Sequence, residues 1–221
     1  MSSRHACDRF MRRNAPLFLL LLGILILVKG VPAYGGGIDG AFIAAQAQKV
    51  QDWRKERDVF FKSHQRSPLT PDQKIHFKGL KYYSFDPKYV FSDQIQRYIL
   101  NINNPQYYAT FLTNKGTNKR YIRYGRFRFQ LEGKDCSLEV FKSILSDNLF
   151  IPFKDKTNGK ETYEAGRYIE TEILNDYKMV LDFNMGYFPS CAYNDKFVCA
   201  LPPKENSLSV EIRAGEKNYK P

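Results

Sequence analysis

Histidine is scarce in this chain: three occur among 221 residues, and only His64 and His76 follow the N-terminal apolar run. Neither has a cysteine or second histidine at zinc-site spacing, and either would have to serve as the sole base of a Ser-His-Asp triad. The sequence therefore predicts no metal site and no triad. It also lacks a Gly-rich phosphate loop and a dinucleotide fingerprint, and no cofactor is expected. Cysteine is limited to Cys7, Cys136, Cys191 and Cys199. No internal repeat or low-complexity tract occurs. No apolar run reaches the roughly twenty residues that a bilayer-spanning helix needs.

The longest apolar run, APLFLLLLGILILV at residues 15–28, follows Arg4, Arg9, Arg12 and Arg13 and precedes Val31-Pro32-Ala33. A positive start, a short apolar centre and small residues at the end form the pattern of an export signal. Residues 1–33 are read as that signal. Lys29 directly after the run leaves an uncleaved anchor through residues 15–28 as the alternative. Either way the domain is expected outside the cytoplasm, in the periplasm or the extracellular space. Gly35-Gly36-Gly37 makes residues 34–37 a flexible linker, and residues 38–221 read as one domain. Residues 1–33 hold five basic residues and one acid, so of the net charge of +11 the remainder carries +7. That excess favours solubility and contact with an anionic membrane surface or acidic envelope polymers.

Residues 38–64 repeat at helical period. Ile43, Ala47, Val50, Trp53, Phe60 and Phe61 lie near one face, and Asp39 stands at the N-cap position. The aromatic end of this helix is expected to pack on the domain core. Two prolines, Pro68 and Pro71, end it, and Thr70 caps a short turn over 71–75. From about residue 94 the period becomes two. Strands are predicted near 94–102, 106–113, 119–131, 136–142, 149–153, 166–174, 177–184 and 207–213. Ile122 and Tyr124 fall on the opposite parity to Phe127, Phe129 and Leu131, which predicts a bulge near Gly125. The fold class is mainly β: an antiparallel barrel or sandwich of about eight short strands over 94–213, with one N-terminal amphipathic helix. Arg120, Arg123, Arg126 and Arg128 interleave with aromatics in a pattern that resembles a nucleic-acid stripe. Strand alternation sends the aromatics inward and the arginines to solvent, so no nucleic-acid partner is expected.

The stretch 157–206 concentrates polar residues on strand faces, where burial obliges each to find a partner. If strands 166–174 and 177–184 form a hairpin around Asn175-Asp176, Arg167 approaches Asn184, and Asp182 shares their sheet face. A charge-assisted Arg167–Asp182 pair is then expected, completed by Asn184 and Glu161. It either braces the loop 187–203 or, with Tyr163 and Tyr193, lines a pocket for a small molecule, glycan or envelope component. Glu161 and Asp182 would also serve as the two carboxylates of an envelope hydrolase if burial separated their pKa values. Cys191 and Cys199 bracket a short Pro- and Asn-containing loop and are expected to form a disulfide in an oxidising compartment. Cys136, in a strand pattern, reads as a buried and inert thiol.

Several motifs occur in a fixed order: Trp53-Arg54-x-Glu56-Arg57-Asp58, Ser67-Pro68-Leu69, Gly166-Arg167-Tyr168, Asp182-Phe183-Asn184, Cys191-Ala192-Tyr193-Asn194, Pro202-Pro203-x-Glu205-Asn206 and Ala214-Gly215-Glu216-Lys217. Together they resemble the bacterial domain-of-unknown-function 1684 family over nearly everything after the signal. The resemblance implies the domain boundaries and adds Glu205 and Asn206 to the candidate binding residues. It implies no activity.

Overall fold

The computed structural model describes residues 39–144, 146–174 and 177–218. The proposed signal and linker, and the Asn175-Asp176 turn, lie outside the described residues. Helix α1 spans Gly40–Ser63, with Asp39 accepting from the Phe42 backbone N–H as its cap. Helix α2, Pro71–His76, opens on a capping box in which Thr70 and Gln73 exchange side-chain and backbone bonds. Each start is where a cap residue can satisfy an orphan N–H of the first turn. Among the described residues no helix is long and apolar enough to cross a membrane.

Eight strands follow: β1 (Val90–Gln94), β2 (Gln96–Arg97), β3 (Tyr108–Leu112), β4 (Asn118–Leu131), β5 (Lys134–Lys142), β6 (Leu149–Phe153), β7 (Arg167–Thr171) and β8 (Lys178–Asp182). All pairings between them are antiparallel. One sheet runs β2-β4-β5-β6-β7, with β3 also on β4, and β1 pairs β8 in a separate two-stranded sheet. The chain is mainly β as expected, but the sheets are not closed into a barrel. Burial alternates cleanly from Phe127 to Leu131, and the register slips between Arg123 and Gly125. That is the expected bulge. Gly125 is required there because a Cβ would stand 2.5 Å from the Gln96 carbonyl oxygen.

The core lies between the large sheet and a second layer. Phe127, Phe129, Leu138, Val140, Ile151 and Ile169 of the sheet face Met179, Leu181 and Phe183, joined by Leu208, Val210, Ile212 and Ala214 from the C-terminal segment. Phe61 of α1 makes a smaller cluster with Leu69, Phe77 and Leu80.

Two expected strands are corrected. Residues 94–102 divide into β1, β2 and a loop. Residues 207–213 form no ladder; the segment touches the sheet through an isolated bridge, Lys154 with Ser207, and two backbone bonds, Leu208 N–H to the Lys154 carbonyl and Lys156 N–H to the Val210 carbonyl. The expected 166–184 hairpin is also corrected. β7 pairs β6 and β8 pairs β1, and among the described residues the two meet through a bridge between Ile173 and Met179 and a bond from the Thr171 hydroxyl to the Val180 carbonyl. Period-two alternation identifies a strand but carries no information about which neighbour it joins.

Side chains do part of the ladder's work. β5 and β6 pair only at Phe141–Phe150 and Lys142–Leu149. Beyond that the buried Asn206 amide bridges them, accepting from the Glu139 N–H at 2.7 Å and donating to the Glu139 and Pro152 carbonyls at 2.8 Å each. Asn206→Ala would strand three buried backbone groups, and a loss of about 3–5 kcal/mol is expected in urea unfolding. Asn206→Asp keeps the size but points oxygen at two carbonyls and is expected to fare no better. Wild-type stability in both variants would contradict this role.

Candidate functional site

Arg167 heads β7 and is fully buried at 0 % exposure. Its Nη2 bonds Asp155 Oδ2 at 2.8 Å and the Ile212 carbonyl at 2.7 Å, and its Nη1 donates to the carbonyls of Ala214 and Glu216. The expected Arg167–Asp182 pair does not form, because β7 and β8 belong to different sheets. Asp155 takes the place of Asp182. Its Oδ1 also accepts from Ile212 N–H, Thr157 N–H and the Thr157 hydroxyl. The fork of a guanidinium suits this task, since three carbonyls at alternate positions of an extended segment need donors from one side.

Asp182 and Asn184 form a second closed group. Asp182 accepts from Gln46 of α1 at 3.1 Å and from the Asn184 side chain and N–H, both at 2.8 Å. Burial pushes its carboxyl above the ordinary aspartate range. The Asn184 amide exchanges two bonds with the Asp86 backbone. Arg54 donates to the Asn184 carbonyl, and Asp58 of α1 accepts from the Leu80 N–H. Helix α1 is thus tied to the β-layers by a polar seam.

Glu216 ends the seam, and the sequence patterns singled it out only as part of a motif. It is completely buried, 3.0 Å from the Arg57 guanidinium, and accepts from the Phe188 N–H. Arg57 in turn lies over the rings of Trp53 and Tyr187. Burial raises the Glu216 carboxyl to about 7. Its Oε1 has no hydrogen-bond partner among the described residues. Gly215 beside it has φ +75°, and a Cβ there would meet the Gly186 carbonyl oxygen at 2.5 Å, so the approach depends on glycine.

The remaining expected site residues scatter. Glu161 is half-buried, paired with Arg213 and accepting from Tyr83, and the Arg213 bond holds its carboxyl below the ordinary range. Glu161 and Asp182 therefore have separate partner sets, and no bond among the described residues joins them. Tyr193 packs edge-on against Phe61. Asn206 is the sheet bridge, and Glu205 next to it lines a cleft of about 460 Å³ with Tyr98, Tyr108, Arg123, Arg126 and Glu139. Its inner carboxylate is already satisfied, since Glu139 bonds Arg126 at 2.7 Å and the Tyr98 hydroxyl at 2.8 Å. No three His, Cys, Asp or Glu side chains among the described residues are grouped to hold a metal.

The disulfide is corrected as well. Cys191 and Cys199 are free thiols, as is half-buried Cys136. Cys199 Sγ instead accepts from the Cys191 N–H at 3.3 Å. A hydrogen bond between the sulfurs raises the Cys191 thiol and lowers that of Cys199 to about 7. Tyr163, from the expected site, stands 3.9 Å from Cys191 Sγ.

The open surface of interest adjoins Cys199. A cleft of about 440 Å³ lies between β4, β6, β7 and the loop 187–200. Tyr121, Phe150, Tyr168 and Tyr187 supply its aromatic lining, and Lys119, Ser146, Asn148, Glu170 and Ser190 its polar lining. Tyr121 stacks on Phe150 with centroids 4.9 Å apart and planes 19° from parallel. The Tyr168 hydroxyl donates to the Ala200 carbonyl and the Tyr187 hydroxyl to Glu170 Oε1, so both rings are held in place. Neither Tyr121 nor Tyr187 was separated by sequence from the core aromatics. The signal available was the tyrosine hydroxyl, a polar tip that asks for a partner or for solvent where phenylalanine does not.

A family model described as "Protein of unknown function (DUF1684)" matches residues 75–217. Among solved structures, the chain is similar to the solution NMR structure of an uncharacterized protein of Haloarcula marismortui. The two are 33 % identical, the match covers 79 % of this chain and 95 % of that one, and the TM-score is 0.63. No curated protein matches the chain.

Two outcomes are expected from the buried charges. Arg167→Ala leaves Asp155 charged and three carbonyls unpaired, and should cost about 3–5 kcal/mol in denaturant unfolding. An unchanged unfolding midpoint would exclude the clamp. For Glu216 the native carboxyl holds its proton more tightly than an ordinary glutamate of 4.5, with a pKa of about 7. The stability it contributes is therefore complete below the ordinary value and is lost as pH rises through about 7. Unfolding free energy measured across that window should fall less steeply in Glu216→Gln than in the parent. Equal slopes would refute the assignment.

Proposed function

The chain belongs to the DUF1684 family of proteins of unknown function, and from its geometry we propose an exported, non-catalytic domain that binds a small glycan-like ligand of the cell envelope in the cleft beside Tyr121. The observation that carries this reading is the joining of fixed aromatic side chains to a polar edge in one open cleft of ligand size. Ligand pockets occupy about 300–1,000 Å³ and combine apolar walls with a few placed polar groups. The Tyr121 and Tyr187 rings give the cleft a fixed apolar wall against which a sugar can pack. Lys119, Asn148, Glu170 and Ser190 suit its hydroxyls.

Binding is preferred over hydrolysis because the expected carboxylates are committed elsewhere. Asp182 is buried and bonded to Gln46 and Asn184, and Glu161 is paired with Arg213. The Arg167 region is closed and serves as a brace, so the ligand is assigned to the cleft rather than to that region. Export is supported by the arginine-rich start and the apolar run at residues 15–28.

Saturation-transfer NMR of the folded protein with soluble peptidoglycan fragments and neutral oligosaccharides tests the reading. Saturable transfer to at least one sugar is expected. Tyr121→Ala should weaken it about tenfold or more, as loss of an aromatic contact does. Asn148→Ala, an exposed rim change, should weaken it without altering the unfolding midpoint. No saturable sugar binding across the panel, with the protein folded, would overturn the proposal.

A further inference from the structure

A different surface carries an inference independent of the cleft. β2 and β3 both lie on one side of β4, and the loop 98–107 between them runs along that edge. Tyr98 N–H bonds the Tyr124 carbonyl and Arg123 N–H bonds the Tyr107 carbonyl, so the loop is seated at both ends. Between these anchors Ile99 is 99 % exposed and Ile102 65 % exposed. Tyr177, 51 % exposed just before β8, is held to the same edge by a bond from Ile95 N–H to its carbonyl. Arg97 joins the two parts, its guanidinium 5.3 Å from the Tyr124 ring centroid and 5.2 Å from that of Tyr177. Arg120 lies 5.0 Å over Tyr108 on the neighbouring strand β3. Neither Arg97 nor Arg120 has a carboxylate partner among the described residues.

Single exposed apolar residues are ordinary on a soluble surface. Here two isoleucines are carried on a seated loop, bordered by tyrosines and by arginines that meet no carboxylate among the described residues. Aliphatic tips, amphipathic aromatics and cations match the three layers of a bilayer surface: acyl boundary, interface and phosphate headgroups. A second copy of the chain fits less well, because a two-fold contact would set the same arginines against each other. Of the net charge of +11, the +7 that lies outside residues 1–33 adds long-range attraction to anionic lipid.

We propose that the loop 98–107, with Tyr177, Arg97 and Arg120, is a membrane-docking edge that lodges Ile99 and Ile102 in the headgroup boundary of an anionic bilayer.

The test uses the full chain with vesicles of brominated phosphatidylcholine, with or without roughly one third phosphatidylglycerol. Ile99→Trp reports contact at the loop. Val59→Trp, an equally simple change at an exposed site on α1 (66 %), is the control, and the parent corrects for Trp53. With the anionic vesicles, bromine quenching should be about threefold greater for Ile99→Trp than for Val59→Trp, since only residues at the docking edge reach the acyl boundary. Adding Arg97→Gln and Arg120→Gln, or omitting phosphatidylglycerol, should bring the two to the same level. Equal quenching in both variants with anionic vesicles would overturn the proposal, because the apolar run at residues 15–28 would then account for all lipid contact. Quenching that survives loss of the arginines would overturn it too, as would absence of quenching together with cross-linking between copies through the loop.

Discussion

The C-terminal segment reaches the core without a strand ladder, and the buried Arg167–Asp155 pair makes this possible. An extended segment presents carbonyls to the interior at every second residue, and a buried carbonyl without a donor costs as much as a lost hydrogen bond. Residues 212, 214 and 216 meet one guanidinium instead of a neighbouring strand. Asp155 neutralises that guanidinium and takes the Ile212 N–H. Ile212 and Ala214 can then contribute to the core that Phe127 and Leu138 build from the sheet side.

The same solution recurs wherever the layers diverge. Asn206 bridges β5 and β6, Asn184 bridges the Asp86 backbone to the end of β8, Gln46, Arg54 and Arg57 of α1 each reach a polar group beyond the helix on the β side, and Asp58 holds the Leu80 N–H of the segment before β1. These contacts are directional as well as buried, so they favour one arrangement of layers where apolar packing alone tolerates several. They also use up the chemistry of the residues concerned. Arg167, Asp182, Asn184 and Asn206 all spend their polar groups on bonds within the fold, although the Arg167 Nε has no hydrogen-bond partner among the described residues. The surfaces proposed for binding lie apart from these four residues: the aromatic cleft, to which the motifs contribute Tyr168, and the loop beside β2.

Much of the architecture was legible. The 24-residue helix with its Asp39 cap, the capped turn at Thr70, the bulge at Gly125 and most strands follow from period, capping and turn chemistry. The site was less so. Sequence picked out residues that must be partnered, and partnered they are, but it assigned Arg167 to Asp182 when Asp155 holds it. Asp155 lies outside the polar stretch and looks in sequence like a residue of a turn. The cleft escaped notice because Tyr121 and Tyr187 are 66 positions apart and resemble core aromatics taken singly.

Local signals accordingly settled what each segment is. Alternation, caps and glycine positions act within a few residues and need no knowledge of the rest of the chain. The tertiary structure alone decided who meets whom. β7 and β8, close in sequence, part to join different sheets, while Gln46 and Asp182, 136 positions apart, share a hydrogen bond. A strand's periodicity carries its burial pattern but not its neighbour, and the choice of neighbour is made by the packing of the whole core.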